Sequence, residues 1–303
     1  MEKRKNHLVA LLSLSTLLLS LQLNHNVARA APYKPPPGPG PGRTTTVTRH
    51  FVLVHGACLG AWSWYKLVPL LKSSGHNVTA VDLAASGIDP AQADDLRFMS
   101  AYFRPLMDFM AALPPRQRVI LVSHSFGGLA ISKAMERFPE KIAAAVFVTA
   151  LMPGPSLNIS ALYQEGSRSK ESLLDSYYIY GNGPNNPPTI FVLGPLQLAE
   201  DMFQMSPIED LTLASMLVRP FRVFTQEEQS RELVLSTENY GSVRRVYIIS
   251  NEDNNEKPNF QRWMVMKNPP DEVKIIADSD HMVMISQPIE LYVHLQNIAK
   301  KYS

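Results

Sequence analysis

From position 50 onward, short apolar runs alternate with stretches in which apolar residues recur every three or four positions. The short runs, 50–54, 77–83, 119–123, 143–149, 245–250 and 273–277, read as strands buried on both faces. The longer stretches, 61–74, 102–113, 127–138 and 288–302, predict amphipathic helices, with Gly75 and Pro114-Pro115 as stops. Strands and helices in alternation predict an α/β fold, a mostly parallel sheet with helices on both faces. The rhythm breaks between about 152 and 222, where prolines, glycines and polar turns crowd and short helical patches such as 208–217 survive. This stretch is expected to be a cap inserted over the site. There is no internal repeat.

The N-terminus has a different pattern. Lys3, Arg4 and Lys5 precede an apolar run from Leu8 to Leu23, and Ala28-Arg29-Ala30 has small residues at the cleavage spacing. Residues 1–30 therefore read as a signal peptide, which predicts the secretory pathway or an extracellular location. A membrane anchor and a plastid transit peptide are the alternatives. The apolar run of about 16 residues is short of the roughly 20 that span a bilayer, so no stable membrane insertion is expected after leader removal. Residues 31–49 carry Pro35-Pro36-Pro37-Gly38-Pro39-Gly40-Pro41-Gly42, which packs as neither helix nor strand and reads as a linker. A single domain, 50–303, remains.

Composition adds little to this picture and excludes some functions. Formal net charge is +2, and cleavage after Ala30 leaves 25 basic against 26 acidic residues, so nothing suggests nucleic acid. Cys58 is the one cysteine, which rules out an intrachain disulfide; it reads as packing. Asn77-Val78-Thr79 and Asn158-Ile159-Ser160 fit glycosylation acceptors if the leader routes the chain outward.

The candidate chemistry lies in Val119-Ile120-Leu121-Val122-Ser123-His124-Ser125-Phe126-Gly127-Gly128. A buried strand runs into small-x-Ser-x-Gly and then a helix, the pattern of a nucleophile elbow that pushes a serine Oγ into the open. The strict form has glycine where Ser123 stands. A serine hydroxyl needs a base, and in this arrangement the acid and then the histidine follow the serine, each in a loop after a later strand. Of the eight histidines, His281 follows the strand 273–277 through Asp278-Ser279-Asp280 and is the candidate base. The loop after 245–250 offers Glu252, Asp253 and Glu256. Asp253, a short carboxylate near the strand end, is the candidate acid, with Glu252 the rival. Asp280 adjoins His281 in the chain and is badly placed to orient it, so it reads as a loop-structuring residue. The backbone N–H groups of Ala57 and Phe126 are the candidate oxyanion donors.

These residues resemble a known group. His50-Phe51-Val52-Leu53-Val54-His55-Gly56-Ala57-Cys58, Ala61-Trp62-Ser63-Trp64-Tyr65-Lys66-Leu67, and the run from Gly75 to Gly87 are similar to the plant methylesterase family. So are Phe260-Gln261-Arg262-Trp263 and Asp280-His281-Met282. The resemblance covers about 50–303. It implies the α/β-hydrolase fold and cofactor-free ester hydrolysis, with Ser125, Asp253 and His281 as triad and Ala57 and Phe126 as oxyanion donors; no metal is implied. Leu59 stands where relatives often have histidine, which bears on the pocket wall. The expected substrate is a methyl ester of a small plant acid: methyl jasmonate first, then methyl salicylate or methyl indole-acetate. Met152, Tyr163, Tyr177, Tyr178, Phe203, Met205 and Met216 would give either an apolar pocket or plain cap packing. A homodimer is compatible with the sequence. The rivals are a hydroxynitrile lyase and a non-catalytic hormone-binding protein. The related lyases carry lysine after the histidine and threonine in the oxyanion turn, where this chain has Met282 and Gly56.

Overall fold

The computed structural model describes residues 48–167 and 172–302. The expected leader, and the linker as far as residue 47, lie outside the described residues. The domain opens with β1 (His50–Val54), α1 (Leu67–Ser73), β2 (Asn77–Val81), α2 (Met99–Ala112), β3 (Val119–Ser125), α3 (Gly127–Arg137) and β4 (Ile142–Ala150). The stretch that follows contains α4 (Ile159–Gly166), β5 (Tyr177–Ile179), β6 (Ile190–Val192), α5 (Ile208–Leu217), β7 (Phe221–Arg222) and α6 (Gln226–Glu232). The main sheet resumes at β8 (Arg245–Ser250), followed by α7 (Pro258–Lys267), β9 (Glu272–Ile276) and α8 (Pro288–Lys301).

Six strands form one parallel sheet in the order β2-β1-β3-β4-β8-β9. Successive side chains of a strand point to opposite faces, so the inner strands β1, β3, β4 and β8 feed two cores. Val52, Val54, Leu121, Phe147, Tyr247 and Ile249 pack on one face with Met99, Phe103 and Met110 of α2 and Leu129 of α3. Phe51, Leu53, Ile120, Val122, Val146, Val148, Val246 and Ile248 pack on the other with Leu67 and Leu71 of α1 and Leu291, Leu295 and Ile298 of α8. Each of these side chains is almost fully withdrawn from water, which stabilises by roughly 1.5–3 kcal/mol per large aliphatic or aromatic residue.

The differences from expectation have physical causes. The helix expected over 61–74 is two pieces, a 3-10 turn at Ala61–Trp64 and α1. Pro69 would clash with the carbonyl of residue 65 in a continuous helix, whereas in the first turn of α1 its missing N–H costs nothing. The helix expected from 102 starts three residues earlier, at Met99. The Glu232 carboxylate takes the N–H groups of Met99 (3.1 Å) and Ser100 (2.7 Å), capping α2 from the far end of α6. β3 runs on through Ser125, and β2 stops at Val81. The stretch 177–222 also holds a second sheet, antiparallel β5-β6-β7, which short irregular apolar runs did not signal. α7 was not expected either; Pro258 at its first helical position was the available sign.

Candidate active site

Ser125 closes β3 with φ of 52°, the left-handed region, which costs a non-glycine residue roughly 1–3 kcal/mol. Its neighbours hold it there. The Leu151 N–H donates to the Ser125 carbonyl at 3.1 Å. The two glycines after Phe126 let α3 approach the sheet. A Cβ on Gly127 would lie 2.4 Å from the His55 carbonyl oxygen, and one on Gly128 2.0 Å from that of Leu151. Ser123 is buried, and its Oγ donates to the Val146 carbonyl at 3.4 Å, so the departure from glycine leaves no unpaired hydroxyl.

The loops after β8 and β9 bring Asp253 and His281 together. His281 Nδ1–H donates to Asp253 Oδ2 at 2.8 Å, and both side chains are fully buried. Asp253 Oδ1 accepts the N–H groups of Asn255 and Glu256, each at 2.8 Å. Its Oδ2 also accepts the Thr149 hydroxyl and, at 3.2 Å, Gln261 Nε2. Five donors therefore fix this carboxylate, and two of them are the side chains of Thr149 and Gln261, to which the sequence had given no role. Thr149 itself has φ of 39°, at the end of β4. Glu252 is exposed and accepts from Asn251 Nδ2 at 3.1 Å; it does not reach the histidine.

Asp280 structures its loop and does more. Its Oδ1 accepts the Met282 N–H at 3.0 Å, while Oδ2 accepts the Met205 N–H at 3.1 Å and the Ser206 hydroxyl at 2.7 Å. It thus ties the segment before α5 to the residue beside His281. Burial pushes its pKa up, against those hydrogen bonds.

For His281, burial alone would push the imidazole pKa down. The Asp253 carboxylate against the ring, with Glu256 and Asp280 beyond it, outweighs burial and holds the pKa above 6.5. A base works only while neutral, so activity is expected to fall as pH drops through that raised value. The measurement is kcat/KM against pH; an acidic limb centred below 6.5 contradicts the geometry. His124 and His55 are buried and neutral. His124 Nε2–H donates to the His281 carbonyl at 2.8 Å, and burial, aided by the neighbouring His281, keeps its pKa well below 6.5. His55 Nδ1–H donates to the Gly56 carbonyl at 2.7 Å and Nε2 accepts the Leu83 N–H at 3.0 Å, which ties the turn after β1 to the end of β2.

That turn carries Ala57. Ala57 and Phe126 line the same cavity as Ser125, and among the described residues neither backbone N–H donates a hydrogen bond. Both are free to point at a developing oxyanion. Cys58, next in the turn, has φ of 63° and accepts the Arg219 N–H at 2.9 Å. The Arg219 guanidinium spans the carbonyls of Gly87 (3.2 Å), Asp89 (2.6 Å) and Ala91 (2.7 Å), so this residue braces the turn from the cap side.

The cavity measures about 600 Å³ and is mainly apolar, walled by Leu151, Phe191, Leu193, Met202, Phe221 and Phe224. Of the cap residues named from sequence, Tyr163 and Tyr178 line it. Met152 and Phe203 are buried in the cores, and Tyr177, Met205 and Met216 face outward. Leu59 is fully buried in the core against α1 and is not part of the wall, which corrects the expectation for that position. Among the described residues, no group of three or more His, Cys, Asp or Glu could hold a metal ion, and no helix is long and apolar enough to cross a membrane.

A parallel sheet that presents a strained serine at a strand-to-helix turn, with a histidine–aspartate pair from later loops, defines an α/β hydrolase. The pattern of the alpha/beta hydrolase family matches residues 51–295, and the chain belongs to that family, within its plant methylesterase branch. Methyl jasmonate esterase 1 of Vitis vinifera is 52% identical over 256 residues, which are 84% of this chain and 98% of that protein. Polyneuridine aldehyde esterase of Rauvolfia serpentina is 47% identical over 254 residues, 83% of this chain and 96% of that protein. The crystal structure of tomato methylketone synthase I complexed with 2-tridecanone is 53% identical, with a TM-score of 0.81; the match covers 85% of this chain and all of that one.

Proposed function

We propose that this protein is a serine carboxylesterase that cleaves methyl esters of small apolar acids, with methyl jasmonate the leading substrate. The observation that carries this reading is the Ser125 elbow opening into an apolar cavity beside the buried Asp253–His281 pair. The similarity to a methyl jasmonate esterase over nearly the whole domain supports the acyl group. Ser125 Oγ attacks the ester carbonyl and its proton passes to His281 Nε2. The carbonyl oxygen takes the charge and is received by the N–H groups of Ala57 and Phe126. Collapse expels methanol with the proton from Nε2. Water, deprotonated by the same nitrogen, then releases the acid and restores Ser125. Asp253 keeps Nε2 unprotonated and aimed outward, and offsets the charge of the imidazolium.

Two features speak against cyanohydrin cleavage. The residue after His281 is Met282, fully buried, where the related lyases have lysine. A Cβ at Gly56 would lie 2.8 Å from the Ser125 Cβ, so this turn has no room for a threonine as it stands. The cavity also argues against a hormone receptor that holds the free acid. Among the described residues its lining includes Glu227 and Glu256 and no lysine or arginine, so a product carboxylate meets like charge. Isothermal titration to a catalytically silent protein is expected to show the methyl ester binding at least severalfold more tightly than its free acid.

The deciding experiment is methanol release from methyl jasmonate, methyl salicylate and methyl indole-acetate. Turnover of one or more supports the reading; cyanide release from mandelonitrile without esterase activity overturns it. We also propose that residues 1–30 act as a cleaved secretory leader, supported by the basic, apolar and small-residue order of that segment. N-terminal sequencing of the protein from its source tissue tests this, and an intact Met1 sinks it.

A further inference from the structure

The reactive nitrogen of the candidate base already has a partner, and it is not the nucleophile. Asp253 takes the Nδ1 proton of His281, so Nε2 is left as an acceptor. Asn255 Nδ2 donates to it at 3.2 Å. Ser125 Oγ makes no hydrogen bond among the described residues, to the ring or to anything else, although it lines the same cavity as Asn255. The Asn255 backbone is fixed by its N–H to Asp253 Oδ1 at 2.8 Å. The side-chain amide has no partner besides Nε2 among the described residues, so it can turn about its own χ angles at the cost of one hydrogen bond.

We propose that Asn255 is a positioning residue for the general base. In the resting enzyme its amide holds Nε2 of His281; an incoming acyl group that fills the cavity wall displaces it, and Nε2 passes to Ser125. The inference rests on the esterase reading above. It makes the site self-restrained: with the cavity empty, the lone pair needed to take the serine proton is engaged elsewhere. A large acyl group reaches the Asn255 wall, while an acetyl group leaves the amide in place. Discrimination between acyl groups then includes an arming step as well as contact with the cavity.

The effect is separable from general damage to the site. Removing the amide frees Nε2 for Ser125 without touching Asp253, His281 or the oxyanion donors. The neutral ring also loses a donor, which disfavours that form relative to the imidazolium and moves the acidic limb of the rate profile to higher pH. The other titratable groups facing the ring are the carboxylates of Asp253, Glu256 and Asp280 and the imidazole of His124. All four remain in the variants, so the shift reports Asn255.

The test compares p-nitrophenyl acetate with p-nitrophenyl hexanoate, which share a leaving group and differ in acyl length. Asn255→Ala and Asn255→Leu are made in the full chain; leucine keeps the volume and removes the donor. Both variants are expected to raise kcat/KM for the acetate about fivefold, the worth of one hydrogen bond, and to change the hexanoate less than about twofold. The acidic limb for the acetate should move upward. Equal changes on both esters, no change, or a loss on the acetate overturns the proposal. Labelling by a fluorophosphonate probe is run alongside. If Ser125 of the unaltered protein does not label, the esterase reading itself has failed; if it labels and the ester ratio does not move in either variant, only the role of Asn255 has.

Discussion

Replacing Ser125 with alanine is expected to lower kcat on any accepted methyl ester by roughly 10⁴- to 10⁶-fold, the range found when a member of a hydrolytic triad is removed. On the proposed mechanism Oγ is the atom that bonds to the acyl carbon, and among the described residues no other nucleophile occupies the elbow. Cys58 lines the cavity, but it is buried in the oxyanion turn. His281→Ala should cost a similar factor, and the double variant little more, because serine and base act as one unit. The fold should be unaffected, since alanine fills the same 52° φ position with less volume and the Leu151 bond is made by backbone. The measurement is methanol release at saturating ester together with a thermal melt. A Ser125→Ala protein that keeps more than about one hundredth of the rate removes Ser125 from the chemistry.

The second large effect is on stability. Gly128→Ala is expected to cost more than about 4 kcal/mol, or to abolish soluble protein, because steric conflict at this packed position has nowhere to go. The added Cβ would sit 2.0 Å from the Leu151 carbonyl oxygen, 2.9 Å from its carbonyl carbon and 3.1 Å from its nitrogen. All three are backbone atoms at the exit of β4, and the Leu151 N–H is the group that holds the Ser125 carbonyl. Relief would require α3 to move off the sheet, taking the elbow with it. Gly75→Ala is the contrast. No atom lies within 4 Å of its Cβ position, and the cost there is the strain of φ 85° alone, roughly 1–2 kcal/mol. Urea unfolding of the two variants separates them; comparable midpoints would show that the approach of α3 is softer than the geometry states.

Several parts of the site were legible because the chain order of an elbow carries them. Ser125 announced itself by a strand before it and two glycines after it. His281 and Asp253 followed from the order of acid and base after later strands, and chemistry at the strand end separated Asp253 from Glu252. The candidate oxyanion donors came with the two turns. The inner strands β1, β3, β4 and β8 were visible as apolar runs because both of their faces are buried; the edge strands β2 and β9, expected to be buried likewise, are half exposed, since each has a neighbour on one side only.

Other groups left no such mark. Thr149 and Gln261 are ordinary residues in sequence, and only the pairing of β4 beside β8, together with the helix α7 that follows the loop, makes them partners of one carboxylate. Glu232 caps a helix that begins 133 residues earlier, and Arg219 spans carbonyls about 130 residues away. Asn255 lies two positions after Asp253, yet nothing in that spacing says that its amide meets Nε2. The cap strands are short and partly exposed, so they have no periodicity to read, and the cavity walls drawn from them could not be picked out.

The sequence by itself therefore determined the sheet, the hydrolase class and the three candidate site side chains, because hydrophobic period and chain order encode local conformation and succession. The tertiary structure alone decided which donors fix Asp253, which residues wall the cavity and which amide meets Nε2 of His281. Several of those contacts, such as Thr149 to Asp253 and Asn255 to His281, join residues distant in the chain, and they depend on where packing places whole elements.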